Sequence, residues 1–441
     1  PPRSTLFPYT TLFRSAFSFC FYMLLIDNSF NSPIYKMLDS KMDTPEISKF
    51  SAAPSLSGYL YQFRYALLES LRKIRHQIDF SVSIESLDDV VFEVGDDVVE
   101  LLQTKHRVGQ NANITDASPD LWKSIRIWCE LNETEANAGR YYFLITTATA
   151  SNDSIACLLR PGSSRNISMA VARLNEVASS STNVGNAVAY EAFRALAEAS
   201  KIALFEKVYV FDMSPTLPSL DSEIRQELFF AVESRYLDGF MTRFEGWWFR
   251  RVINQISGEV KGPILAEEIS EELSHIREQY KTESLPIDDD ILNAVVNDVD
   301  YQDRRFVQQL RLININDRRI LIAIKDYFRA FTQRSRWIRE DLLYVGELKR
   351  YEKRLVEEWE IHFEGMREEL GDAATEEQKI KAAKELYKWI EQGNLLQIRS
   401  GISEPCIPRG SYHMLADDTK LGWHIEFIER LKELLETPVY G

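Results

Sequence analysis

A chain of 441 residues exceeds what one hydrophobic core ordinarily serves, so about two to four domains are expected. Its 45% hydrophobic and 27% charged residues are the balance of a globular protein, and a net charge of −15 excludes a surface coated for nucleic acid while leaving room for local basic patches. No run is long enough to span a bilayer. Cys20, Cys129, Cys157 and Cys406 lack disulfide density and metal-ligand spacing, which points to reduced, buried thiols and a cytoplasmic location.

Pro1 to Ser15 read as translated adapter sequence, with a repeated Thr-Leu-Phe and no initiator Met. Ala16 to Ile26 is apolar, but no small-residue cleavage site follows, and Met23, Met37 and Met42 each suit a start. Residues 1–52 are therefore expected to be a non-native or disordered leader. Ser55 to Gly58 opens a helix with Tyr59, Leu60, Phe63, Ala66, Leu67 and Leu71 at helical spacing. Gln62 and Glu69, seven apart, share a face of it, and both are expected to be surface residues.

Phe80 to Ile84 reads as a strand that leads into Glu85-Ser-Leu-Asp88-Asp89. Val90 to Val94 and Val98 to Lys105 then flank a Gly-Asp-Asp break, the signature of a β-hairpin. With a three-residue loop, partners total 192 and Asp89 lies opposite Gln103, with Lys105 on the same face. A two-residue loop brings Asp88 opposite Gln103 instead, so the choice between the two aspartates stays open. Either way a carboxylate, an amide and an ammonium meet on one patch, a combination that suits a hard divalent ion and a phosphate. The structural alternative is a solvated sheet end. His106 and Arg107 follow as a small basic cluster.

Asp120 to Trp128 is amphipathic and helical, Tyr141 to Thr147 a buried strand, Ser168–Val177 and Ala187–Ala199 helices, and Phe205 to Phe211 a strand. Strand–helix alternation over 53–213 predicts an α/β domain. Past Pro215 and Pro218 the pattern turns helical, with helices expected over Ser222–Ile256, Pro263–Thr282, Arg336–Glu369, Thr375–Glu391 and Glu426–Glu436. Gly246-Trp-Trp-Phe-Arg-Arg251 reads as a core stripe rather than a base-stacking platform. Ten arginines and lysines between Arg304 and Arg339 read as a salt-bridged face, or more sharply as a DNA-backbone or partner surface. His413 and His424 have only Cys406 as a nearby soft companion, so packing or a partner contact is expected over a metal. The chain has no G-x-x-x-x-G-K-[ST] loop, His-Glu-x-x-His helix or Gly-x-Ser-x-Gly elbow.

Gly58-Tyr-Leu-Tyr-Gln62, Glu85-x-x-Asp88-Asp89 and Gln103-Thr-Lys105 together resemble the double-strand-DNA endonuclease domain of bacterial anti-phage effectors, within the PD-(D/E)xK superfamily, with Gln103 where a second acid is usual. The Arg336-Trp-Ile-Arg339 helix, Tyr412-His413 and Gly422-Trp-His424 resemble the C-terminal domain of bacterial ABC-three-component proteins, with Ile425 where Pro is expected. The resemblance implies a restriction-endonuclease-like α/β domain over 53–213, a helical middle region over 214–330 and a helical assembly domain over 331–441. It implies Mg²⁺ (or Mn²⁺) held by Asp89 and Gln103, with Asp88 or Glu85 assisting, Lys105 steadying charge, and His106 and Arg107 near DNA. It also implies a first helix packed on the catalytic sheet, with Gln62 or Glu69 as an amide or acid turned to the metal, the alternative to a surface residue. The implied activity is a metal-dependent endonuclease of a bacterial defence system, cleaving double-stranded DNA after activation by an ABC- or SMC-like ATPase with a small middle component, self-association being open. The alternatives are a catalytically inactive adaptor that couples sensor and ATPase, and a nuclease acting on RNA or single-stranded DNA.

Overall fold

Helix α1 (Ala53–Ile74) puts Tyr61, Tyr65, Leu68 and other apolar residues on one buried face, and Arg72 and Lys73 in its last turn complement the helix dipole. The computed structural model describes residues 53–95, 97–106, 112–132, 139–393 and 395–436, so the expectation for 1–52 falls outside it. α1 packs on a six-stranded sheet whose order from edge to edge is Val208–Phe211, Tyr141–Thr146, Asp97–Lys105, Val90–Val94, Phe80–Ile84 and Ile264–Leu265. Strands β1 (Phe80–Ile84), β2 (Val90–Val94) and β3 (Asp97–Lys105) form an antiparallel meander. The short pair β4 (Asn113–Ile114) and β6 (Thr149–Ala150) lies apart from this sheet. A crossover through α2 (Pro119–Asn132) makes β5 (Tyr141–Thr146) parallel to β3, as a connection of that length allows.

The short helix α3 (Ile155–Leu158) and helices α4 (Ile167–Ser180), α5 (Ala187–Ala195) and α6 (Glu198–Glu206) lead to β7 (Val208–Phe211), parallel to β5. The expected helix over Ala187–Ala199 is thus two, and Phe205 ends a helix instead of opening a strand. The outer edge of β7 is closed by Leu159, whose carbonyl accepts from Val210 N at 3.1 Å, and by Arg165, which donates to the Val208 carbonyl at 2.8 Å. An edge so occupied offers no template for another strand.

The middle segment 214–330, expected as a region of its own, divides between two cores. α7 (Leu217–Glu227) and α8 (Leu237–Ile256) cover the α1 face of the sheet, and β8 (Ile264–Leu265) joins β1 antiparallel before α9 (Ala266–Gln279). Trp248 is fully buried there and donates to the Phe63 carbonyl at 2.8 Å, as the core-stripe reading expects. α2, α4, α5 and α6 cover the other face, around Trp122, Trp128, Tyr142 and Phe193.

After the single turn α10 (Asp289–Leu292), the remaining helices enclose a separate core around Phe306, Trp337, Tyr387, Tyr412 and Trp423. They are α11 (Arg305–Leu312), α12 (Asp317–Arg339), α13 (Glu347–Leu370), α14 (Glu376–Gln392), α15 (Cys406–Asp417) and α16 (Phe427–Glu436). Arg336 and Arg339 therefore end a helix rather than open one. Asp341 and Gly346, with φ of 53° and 72°, break the chain into its next helix. α14 starts just after Thr375, where the helix is expected, and Thr375 forms a capping box with Gln378.

α15 lies against α12 so closely that a Cβ on Gly410 would strike the Asp326 carbonyl and the Ala330 side chain. Backbone cannot yield as a flexible side chain can. Gly410→Ala is expected to cost about 2–3 kcal/mol through overpacking, read as a lower midpoint in urea denaturation.

The two parts of the molecule are joined through Arg243 of α8. Its guanidinium pairs with both oxygens of Asp288 at 2.9 and 3.1 Å, with Tyr280 Oη at 2.6 Å and with Glu340 at 2.9 Å, just past the end of α12. Much of the basic run is likewise salt-bridged, as its first reading expects, which leaves less of it for a DNA-backbone or partner surface. Arg304 pairs with Asp417, Arg319 with Glu391, Arg334 with Glu352 and Arg336 with Asp290.

Candidate functional site

The β2–β3 hairpin combines both loop lengths considered from sequence. Val94 pairs with Asp97, so two residues make the turn and partners total 191 beside it. A β-bulge between Phe92 and Glu93 absorbs one residue of β3, and from Phe92–Glu100 to Val90–Leu102 the total is 192. Continued one step, that register sets Asp89 level with Gln103. Val91 and Leu101 belong to the core under α2, so by alternation Asp89, Gln103 and Lys105 point to that same side.

Glu85, at φ 54°, turns the chain between β1 and β2, and its N–H donates to the Asp89 carbonyl at 3.1 Å. This tight turn brings both aspartates to Gln103. The Gln103 amide nitrogen donates to Asp88 Oδ1 and, at 3.3 Å, to Asp89 Oδ1. Asp89 Oδ2 accepts from the Thr104 N–H at 2.7 Å and from the Thr104 hydroxyl at 3.1 Å. Lys105 Nζ donates to the Gln103 carbonyl oxygen at 2.9 Å and lies 3.8 Å from Asp89 Oδ2. Asp88, Asp89, Gln103 and Lys105, four of the five residues expected in the catalytic set, thus converge, and both aspartates take part. Thr104 is an addition that spacing does not reveal, because its role is to fix Asp89 through its backbone.

Gln62 of α1, expected on the surface, is buried beside Glu85. Glu69, seven residues on, turns away to Arg72 at 2.9 Å. The Glu85 carboxyl has a raised pKa, from desolvation first and then from the like charge of Asp89. His106 does not serve as the expected cation. It stacks on Tyr61 with ring centres 4.9 Å apart, and burial lowers its pKa, so the ring is neutral near pH 7. Arg107 lies outside the described residues.

Asp88 is 7% exposed and its carboxyl is pushed up from 3.8 to about 6 by burial, with Asp89 adding to the rise and the Gln103 hydrogen bond opposing it. Its Oδ2 has no hydrogen-bond partner among the described residues. Two adjacent carboxylates facing one ammonium leave surplus negative charge, and a buried, unpartnered carboxylate oxygen suits a hard cation. Asp88, Asp89 and Gln103 fit one divalent ion, the amide presenting its oxygen after a half-turn of its terminal torsion.

The folded Asp88 carboxyl holds its proton more tightly than the unfolded one does. Its contribution to stability is therefore complete below about pH 3.8 and lost as the pH rises through about 6. Asp88→Asn is expected to raise stability at pH 7.5 by up to about 3 kcal/mol, with little change at pH 4, in thermal melts at the two pH values.

A second acidic group, Glu376, His424 and Glu426, has ligand atoms within 4.8 Å of one another. It does not fit a metal. Arg430 holds Glu376 at 2.5 Å and Lys379 holds Glu426. His424 Nδ1 accepts from the Glu426 N–H at 3.1 Å, which leaves the proton of the neutral ring on Nε2, the nitrogen facing Glu376. His413 is enclosed by Phe306, Tyr387 and Trp423, and burial lowers its pKa to about 3.

Residues 306–431 match the family model of C-terminal domain 7 of the ABC-three component (ABC-3C) systems. The search of curated proteins gives no match. Among solved structures, the Acinetobacter baumannii Cap4 SAVED/CARF-domain containing receptor with the cyclic trinucleotide 3'3'3'-cAAA is 13% identical over 63% of this chain and 69% of that one, with a TM-score of 0.31. The Moraxella osloensis Cap4 SAVED/CARF-domain containing receptor is 15% identical over 63% and 68%, also at a TM-score of 0.31. A likeness of that size carries neither fold nor function to this chain.

Proposed function

We propose that this chain, whose residues 306–431 carry the C-terminal domain 7 of an ABC-three component system, is the metal-dependent DNA endonuclease of such a system, serving anti-phage defence in the bacterial cytoplasm under control of a partner ATPase. The observation that supports this reading best is the convergence of Asp88, Asp89, Gln103 and Lys105 at one end of a sheet built in the order helix, three antiparallel strands, helix, parallel strand. That order delivers two acids and a lysine to one patch, which is what the restriction-endonuclease-like reading requires.

In this reading Asp88, Asp89 and Gln103 hold Mg²⁺ or Mn²⁺, which when bound polarises the phosphodiester and lowers the pKa of water. Thr104 fixes Asp89 through Oδ2, which would leave Oδ1 as the ligand atom. Lys105 offers its ammonium to the negative charge that develops as water adds to phosphorus and one P–O ester bond breaks. Silence in the absence of the ATPase protects the host's own DNA.

The competing reading, an inactive adaptor, is favoured by one observation: Gln103 joins both aspartates to Lys105 in a closed network that holds together without an ion. Supercoiled plasmid incubated with Mg²⁺, ATP and the chain in complex with the ABC-type ATPase of its own system separates the two. Nicked and linear products that vanish with EDTA are expected. An activated complex that leaves double-stranded DNA intact would favour the adaptor, and cleavage of single-stranded DNA or RNA alone would reassign the substrate.

A further inference from the structure

α12 is apolar on two sides. Its inner face buries Ile320, Ala323, Ile324, Ala330 and Trp337 in the C-terminal core. Its outer face leaves Leu321, Ile322, Phe331 and Ile338 at 37, 53, 50 and 61% exposure. A helix that closes a core normally turns charge to the solvent, and large apolar side chains this concentrated mark a contact surface.

The basic residues of the helix divide in the same way. Arg319, Arg334 and Arg336 each hold a carboxylate, and Arg329 holds the Leu292 carbonyl. Arg318, Lys325 and Arg339 are exposed, and no hydrogen bond or ion pair engages their side chains among the described residues. Helical spacing sets Leu321, Lys325, Phe328, Thr332, Ser335 and Arg339 on one ridge, in steps of four and three. Phe331 and Ile338 lie to one side of it, Arg318 and Ile322 to the other. This face therefore carries four exposed apolar side chains and three free cations, two of them on the ridge itself, with Asp317 exposed at its N-terminal end, on a chain whose net charge is −15.

We propose that this face of α12 docks an acidic amphipathic helix of a partner protein, its apolar stripe seated on Leu321, Phe331 and Ile338 and its flanking carboxylates on Arg318, Lys325 and Arg339. Packing of ridges into grooves supplies the contact, and the cations set partner and register, as flanking charges do between paired helices. Nucleic acid fits poorly, because exposed Leu321 and Ile322 stand between Arg318 and Lys325 and exposed Ile338 stands beside Arg339. The proposal rests on the reading of the chain as one component of an assembly. It does not depend on nuclease activity.

The test is fluorescence anisotropy with the full chain and two labelled synthetic helical peptides that share one leucine stripe and differ only in glutamate or lysine flanks. The glutamate peptide is expected to bind at least 10-fold tighter than the lysine peptide, to weaken between 50 and 300 mM NaCl as screened charges do, and to be lost in Leu321→Asp/Phe331→Asp. Lys325→Glu/Arg339→Glu is expected to reverse the preference, with thermal melts confirming that both variants fold. Equal affinity for the two peptides, indifference to the charge reversal, absence of binding, or burial of this face in a dimer of the chain by sedimentation would each overturn it. Normal ATP-dependent plasmid cleavage by the charge-reversed variant within its complex would leave the endonuclease reading intact while removing α12 from assembly.

Discussion

Lys105→Ala is expected to lower plasmid cleavage by the activated complex about 100- to 1000-fold, the usual loss when one group that stabilises transition-state charge is removed. The ammonium lies 2.9 Å from the Gln103 carbonyl oxygen and 3.8 Å from Asp89, and His106 beside it is neutral, so no adjacent side chain on β3 replaces it. The side chain is 15% exposed at the end of its strand, so the fold keeps its core when it is cut back. The thermal midpoint and co-purification with the ATPase should therefore stay at their original values, which separates loss of chemistry from loss of assembly. Arg at this position should recover part of the rate, since it restores charge but not the compact geometry of an ammonium. A Lys105→Ala complex that cleaves at the original rate would take this residue out of the reaction.

Arg243→Ala has the largest expected effect on stability. The guanidinium is mostly buried, and burial alone would favour its neutral form, yet Asp288 and its other partners hold it firmly charged. Removing it leaves Asp288, 8% exposed, without its bidentate partner, and breaking a buried pair from one side costs about 3–5 kcal/mol. Arg336, 3.4 Å from Asp288 but turned mainly to Asp290, offsets part of that and sets the expectation near about 3 kcal/mol. Because Arg243 also ties α8 to Glu340 at the end of α12, urea denaturation of the variant should show the helical C-terminal part and the sheet-bearing part unfolding less cooperatively. A loss under about 1 kcal/mol would mean that this hub adds little.

The parts of this structure legible in the sequence are those with local causes. Alternation and a turn at Gly95 mark β2 and β3, the helix expected from Thr375 is α14, and Trp247, Trp248 and Phe249 fall in a core stripe as their spacing indicates. Convergence at the site was legible because parity along a strand survives a one-residue error in the turn. The choice between Asp88 and Asp89 was not, since it depends on a bulge near Phe92 that no residue signals, and the structure brings in both.

Tertiary causes account for what sequence missed. Gln62 reads as a surface residue until the sheet folds beneath α1 and brings Glu85 to it. Residues 264–265 read as a helix start, and only the free edge of β1 makes them a strand. The arginines between 304 and 339 read first as a salt-bridged face, but their partners, Asp417, Glu391 and Glu352, stand on later helices and are not identified by the sequence. Long-range pairing cannot be read from spacing.

The most direct measurement of the central claim is Mn²⁺ titration of the full chain, followed by electron paramagnetic resonance of the free ion. The account predicts a bound ion at neutral pH, displaced by Mg²⁺ and lost in both Asp88→Asn and Asp89→Asn, with affinity falling as the pH drops below about 6 and Asp88 takes up its proton. Binding that persists unchanged in both variants, or a protein that takes up no Mn²⁺ at millimolar concentration, would contradict it.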